Sequence, residues 1–201
     1  MKKIAIILSA ALVAWCLFAP AQEDKKLTKK EREAAWRAER QRKKAAEKAR
    51  EAREDSIEFV QAVQALQNGS WALEASSITF NNGYTQYVTP SVNYISINDG
   101  TGVVQTALDN TNAYSPNGLG GITLEGNITS SDMCRDSDGN ICYSYVIQGN
   151  NISATVQVSL TANGNSASAY IYPNFGSRNI YMEGEIYPYS TAGVFEGTPD
   201  Y

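Results

Sequence analysis

Residues 152–160 read ISATVQVSL. Ile152, Ala154, Val156, Val158 and Leu160 fall on one parity, and Ser153, Thr155, Gln157 and Ser159 on the other. Successive side chains of a strand point to opposite faces, so this stretch predicts a strand with one apolar and one polar face. The same period runs through residues 179–187, where Ile180, Met182, Gly184 and Ile186 alternate with Asn179, Tyr181, Glu183, Glu185 and Tyr187. It recurs in residues 122–129, where Ile122, Leu124, Gly126 and Ile128 oppose Thr123, Glu125, Asn127 and Thr129. Strands buried on one face belong to antiparallel sheet. Further strands are expected over residues 71–80, 84–89, 92–97, 103–108, 141–148 and 166–172.

The connections carry turn chemistry: Asn82-Gly83, Asp99-Gly100, Asp138-Gly139, Gly149-Asn150, Asn163-Gly164 and Phe175-Gly176. Such pairs supply the left-handed backbone of tight hairpins. Connections this short hold no crossover helix, which excludes a parallel βαβ architecture. The expected fold is mainly β: an antiparallel meander of about eight or nine strands, forming a sandwich or a partly closed barrel after a long N-terminal helix. One connection is longer. Residues 109–121, DNTNAYSPNGLGG, form a polar, glycine-rich loop of the kind that often carries function. Tyr114 and Asn117 are its candidate ligand-binding residues.

Working backwards, the pattern changes at Ser56. Residues 22–55 contain thirteen Lys or Arg and nine Asp or Glu, and no Gly or Pro interrupts the chain from there until Gly69. Ala, Glu, Lys and Arg are strong helix formers, and Thr28 with Glu31 makes a capping box. Large apolar residues are almost absent, so this stretch reads as a charged helical arm or a disordered linker rather than a coiled coil. From Ser56 the apolar residues Ile57, Phe59, Val60, Val63 and Leu66 recur at helical spacing, so the helix end is expected to dock on the β body. Before the arm, Lys2 and Lys3, the apolar run of residues 4–18 and the small residues 19–21 fit a secretory signal peptide over residues 1–21. The mature chain is then expected to have no membrane-spanning segment. Trp15 before Cys16 is a poor setting for a lipid anchor. The resulting division is a signal peptide over 1–21, an arm over 22–55 and an all-β domain over 56–201.

Composition narrows the chemistry. Residues 56–201 hold two arginines, no lysine and twelve Asp or Glu, and the whole chain has no histidine. An acidic body repels phosphate, so nucleic acid is not an expected partner. Without histidine there is no Ser-His-Asp triad, Cys-His pair or His-based zinc site. Chemistry by two carboxylates survives, with Glu74, Glu125, Glu183 and Glu185 as candidates, although all four fit a solvated sheet face. All twelve tyrosines lie after Ser56. Tyr143, Tyr145 and Tyr181 are candidate ligand contacts, because rigid amphipathic rings suit glycans and partner proteins. Asp136, Asp138 and Asn140 offer the alternating oxygens of a hard-cation loop, without its usual bidentate glutamate. Cys134 and Cys142 flank a hairpin turn symmetrically and are expected to face each other as a disulfide.

The segments GLGGITLEGNI, NNISATVQVSL and YIYPNFGSRNIYMEGEIYP resemble, in order, those of the DUF4251 family of exported proteins of Bacteroides and relatives. The similarity spans about residues 25–190. It implies an envelope or periplasmic location, an all-β domain after a charged helix, and no assigned activity or cofactor. Asp55-Ser56-Ile57 is similar to an O-glycosylation pattern of these bacteria, which makes Ser56 an expected modification point. The functional expectation is a non-enzymatic envelope domain that binds a glycan, a small molecule or an envelope protein. The alternatives are a carboxylate-based glycan hydrolase and a structural or assembly protein of the envelope.

Overall fold

A computed structural model describes residues 28–108, 119–150, 153–174 and 179–197. The candidates Cys16, Tyr114 and Asn117, together with the signal segment, lie outside the described residues. The chain divides into two units, Met1–Glu47 and Lys48–Tyr201.

The described part of the first unit is helical. Helix α1 runs Lys29–Asn68 and continues into the second unit. Its start is the capping box: the Glu31 carboxylate accepts from the Thr28 backbone N–H at 2.7 Å and from the Thr28 hydroxyl at 2.8 Å. Glu39 and Lys43 pair at 2.8 Å on the exposed surface, a contact worth a few tenths of a kcal/mol. The helix ends where Gly69 takes φ +63°. There Ser70 N–H reaches Ala65 C=O and Gly69 N–H reaches Leu66 C=O, satisfying carbonyls the helix leaves open.

Only part of the expected apolar stripe docks. Ala62, Ala65 and Leu66 are buried with Phe59 and Val63 packed beside them, in one continuous core with the β residues. Ile57 and Val60 point to solvent, at 58% and 52% exposure. The buried stripe follows positions 59, 62, 63 and 66, and the helical period turns 57 and 60 away from it.

Nine antiparallel strands follow: β1 Trp71–Phe80, β2 Thr85–Tyr87, β3 Tyr94–Asn98, β4 Thr101–Gln105, β5 Thr123–Arg135, β6 Ile141–Gln148, β7 Ser153–Leu160, β8 Ser166–Pro173 and β9 Ile180–Pro188. Each strand from β3 to β9 pairs with the next, and β9 returns to pair with β1 along its whole length. The other edge of β1 is shared. Its first half, Trp71 to Glu74, pairs with β3, and Ser77 to Thr79 pair with the short β2. The sheet is therefore a closed barrel of β1 and β3 to β9, with β2 as a flap strand. Of the two expected forms it is the barrel and not the sandwich, and the pairing of β9 with β1 closes it.

The register sends one parity inward. Leu73 lies opposite Ile95 and Ile186, Val156 opposite Tyr145 and Ile171, and Met182 opposite Ile78 and Ala169. At the start of β1, Trp71 is fully buried, with the rings of Tyr143 and Tyr145 edge-on to it at 6.1 and 6.0 Å. Tyr143 and Tyr145, expected as ligand contacts, thus face the core. They share parity with Ile141 and Ile147, and their rings fill barrel volume. Burial pushes the Tyr145 phenol well above its usual range.

Strand β5 is longer than its alternation suggested. It passes a bulge between Ile128 and Ser130 and then pairs with β6 alone, up to Arg135. With one neighbour, and with Met133 alone of its last six residues half-buried against the core, this end of the strand has little reason to alternate. Among the described residues no helix is long and apolar enough to cross a membrane.

Candidate functional site

The outward parity of β8, β9 and β1 builds one continuous face. Three rungs cross it: Ser166, Glu185 and Glu74; Ser168, Glu183 and Ser77; Tyr170, Tyr181 and Thr79. The bulge between Ala75 and Ser77 turns Ser76 onto the same face. A groove of about 640 Å³ runs over the first two rungs, walled by Glu74, Pro90, Tyr181, Glu183, Glu185 and Tyr187. Its end continues into a hollow of about 270 Å³ beside Phe80, Tyr170, Tyr172 and Tyr181. Tyr170 and Tyr181 have ring centres 4.5 Å apart, and Tyr170 stacks on Tyr172 at 6.3 Å with planes 18° apart. Tyr170 is 48% exposed, so this row of rings is a surface and not a core.

Each carboxylate of the groove already accepts at least one hydrogen bond. Tyr181 hydroxyl donates to Glu183 at 2.9 Å, Tyr187 hydroxyl donates to Glu185, and the backbone N–H of Gly193 donates to Glu74 at 2.7 Å. These contacts fix the side chains; the Ser77 hydroxyl also donates to the other Glu183 oxygen at 3.4 Å, so the second oxygen is left for another donor on Glu74 and Glu185. The Tyr187 phenol is pushed up to about 12, first by its bond to Glu185 and then by burial. Burial raises the Tyr181 phenol, and its bond to Glu183 adds to the shift. Both rings therefore stay neutral donors at ordinary pH. Among the described residues no Lys or Arg lines the groove.

A second polar cluster lies on the outer face of β3, β4 and β5. Gln105 is wholly buried there. Its amide donates to Val92 C=O at 3.1 Å and Phe195 C=O at 2.8 Å, and accepts from Thr123 hydroxyl at 2.9 Å and Gly197 N–H at 2.7 Å. Residues 192–197 thus cross over this face after β9. Glu196 in that segment has its carboxyl pushed up, by burial first and by Glu125 second. Glu125 therefore belongs to this cluster and not to the groove.

Of the residues singled out in the sequence, the groove contains Tyr181, Glu74, Glu183 and Glu185. Tyr187, Ser166 and Ser168 join them through cross-strand register and Pro90 from the turn before β3, while Tyr170 borders the adjoining hollow; no local pattern encodes this meeting. Asp136, Asp138 and Asn140 sit in the turn between β5 and β6 and are occupied with one another. One Asp136 oxygen accepts from the backbone N–H groups of Asp138 and Asn140, and the other from the Asn140 amide, each at 2.9 Å. The Asn140 side chain, first among these donors, holds the Asp136 carboxyl below its usual range. Among the described residues no group of three or more His, Cys, Asp or Glu could hold a metal ion. Cys134 and Cys142 are direct cross-strand partners, recorded as free thiols. They border a third hollow of about 300 Å³ that also reaches Tyr170. Ser56 is exposed on α1, its hydroxyl donating to Ala52 C=O at 2.7 Å.

Comparison with known proteins gives a family and related solved structures. Residues 53–186 match the model of DUF4251, a domain of unknown function. The chain is similar to a DUF4251 family protein from Bacteroides eggerthii DSM 20697 known from a crystal structure. The two share 37% identity with a TM-score of 0.62, over 72% of this chain and 96% of that one. No curated protein matches the chain significantly.

Proposed function

The chain belongs to the DUF4251 family, and we propose that its barrel is a non-enzymatic binding domain of the cell envelope whose outer groove takes a glycan. The observation that carries this reading is the shared face of β8, β9 and β1. A row of tyrosine rings there, Tyr170 exposed and Tyr172 and Tyr181 half-buried, runs into a groove in which Glu74 and Glu185 each keep an acceptor oxygen. Saccharides present just these two features, flat C–H faces that stack on rings and hydroxyls that donate. Rigid tyrosines give such contacts at low entropic cost.

Charge sets the expected preference. With three carboxylates and no Lys or Arg among the described residues of the groove, uronate or sulfated sugars meet like charge, while neutral or amine-bearing sugars do not. Calorimetric titration with maltohexaose, a chitosan hexamer and a polygalacturonate hexamer tests this. Binding of the first or second, and none of the third, is expected. Tyr181→Ala removes the ring shared by groove and hollow, and is expected to weaken binding about tenfold, the scale of one lost stacking contact. A Tyr181→Ala protein that binds as well as the parent would sink the reading.

Location and redox state complete the proposal. A signal peptide over residues 1–21 places the domain, from about residue 56, in the periplasm or envelope. In that oxidising space Cys134 and Cys142 close a disulfide across β5 and β6. The closed loop is short, so its stabilisation is about 2–3 kcal/mol. Intact-mass measurement of protein produced in the periplasm is expected to show the loss of two hydrogen atoms. Two thiols alkylated without prior reduction would refute it.

A further inference from the structure

We propose that residues 192–197 form a strap that positions the groove through Glu74, so that strap docking and ligand binding reinforce one another. The inference rests on the groove being the binding site. After β9 the chain is turned by Ala192 N–H bonding to Pro188 C=O. Gly193 N–H then donates to a Glu74 oxygen at 2.7 Å, and Phe195 N–H donates to Ser91 C=O at 2.7 Å. Phe195 C=O and Gly197 N–H take the two ends of the Gln105 amide.

Two of these contacts land on the groove wall. Glu74 is a wall residue, and Ser91 belongs to the Pro90–Val92 turn whose first residue is another. The strap therefore ties together two walls that come from different parts of the chain. With Gly193 bonded to one oxygen, the Glu74 side chain is held in one orientation and its other oxygen is presented to the groove. A ligand that uses this oxygen finds it already placed, and does not lose affinity to ordering it. By linkage, ligand held by Glu74 also favours the docked strap.

The strap is suited to move independently of the barrel. It is held by hydrogen bonds more than by apolar burial: Phe195 is 63% exposed, and the strap contributes no residue to the core. Segments of that kind open locally without global unfolding. Among the strap's bonds, Gly193 to Glu74 is the charge-assisted one, so it is the strongest single anchor.

Gly193→Pro removes that single donor and substitutes no groove residue; the proline ring carbon takes the place of the N–H and turns the Glu74 carboxylate away. Ala192, at φ −66° and ψ 140°, already has the conformation a following proline requires. Glu74→Ala removes the acceptor instead and serves as the second variant. In the ligand-free protein, amide exchange at Phe195 and Gly197 is expected to accelerate about tenfold in both variants, the scale of one charge-assisted bond. Exchange at Ile186 in β9 should be unchanged. Wild-type exchange at Phe195 and Gly197 in both variants would overturn the strap's dependence on Glu74. With maltohexaose or the chitosan hexamer, Gly193→Pro is expected to bind several-fold more weakly although it substitutes no lining residue. If the parent binds and Gly193→Pro binds equally, the coupling is wrong. If the parent binds neither sugar, the glycan reading fails, while the exchange rates still decide the strap.

Discussion

Replacing Gly184 by alanine is expected to destabilise the protein by about 3 kcal/mol or more, because it adds a methyl group where two backbones touch. A Cβ built at Gly184 lies 2.0 Å from the carbonyl oxygen of Glu74 and 2.8 Å from the Cα of Ala75. Both are main-chain atoms, so no rotamer change relieves the clash. Relief requires β9 to separate from β1 at the bulge, and that is the pairing that closes the barrel. Separation would expose two strand edges, which invites aggregation as well as unfolding. Glu74 supplies the carbonyl of this contact and pairs with Glu185 on the next rung, so any folded Gly184→Ala protein should also have a distorted groove. Gly193→Ala is the control. A Cβ there meets only the Glu74 carboxylate at 3.8 Å, an ordinary contact, and stability should change by less than about 0.5 kcal/mol. Urea unfolding of the two variants measures the difference. A Gly184→Ala midpoint equal to that of Gly193→Ala would show that the seam yields more easily than its geometry implies.

Much of the barrel is readable along the chain, and its closure is not. The alternation of residues 154–160 survives because β7 has a neighbour on both edges and one dry face over its whole length. Trp71–Phe80 and Ile141–Gln148 keep the bounds their pattern gives, for the same reason. Closure depends on β1 meeting β9, more than a hundred residues later, and neither strand carries a local sign of it.

The tyrosines illustrate a different point. Tyr143 and Tyr145 share parity with Ile141 and Ile147, while Tyr181 and Tyr187 share parity with Glu183 and Glu185. Parity alone separates core rings from groove rings, although residue type groups them together. What parity omits is which strands lie side by side. The meeting of Glu74, Glu183 and Glu185 in one groove follows only from the register of β1, β8 and β9.

Gln105 is where polarity misleads most, and it supports the second large prediction. In the run VVQT its residue type and parity suggest a wet outer face, yet it is 0% exposed beneath residues 192–197. All four hydrogen-bonding positions of its amide are used, joining the turn at Val92, strand β5 at Thr123 and the strap at Phe195 and Gly197. An amide buried with every position filled holds its surroundings in one arrangement, and removing it leaves several polar groups to find water or lie unpaired. Gln105→Ala is therefore expected to cost about 4 kcal/mol, near one per lost bond. Gln105→Leu keeps much of the volume but none of the bonds, and should recover little. If leucine restores most of the stability, packing and not hydrogen bonding holds this face. Both variants should also release the strap, so Phe195 amide exchange is expected to rise further in them than in Gly193→Pro. The ordering follows from the geometry: Gly193 removes one anchor of the strap, whereas Gln105 removes two and loosens the Val92 carbonyl beside the Ser91 carbonyl that receives a third.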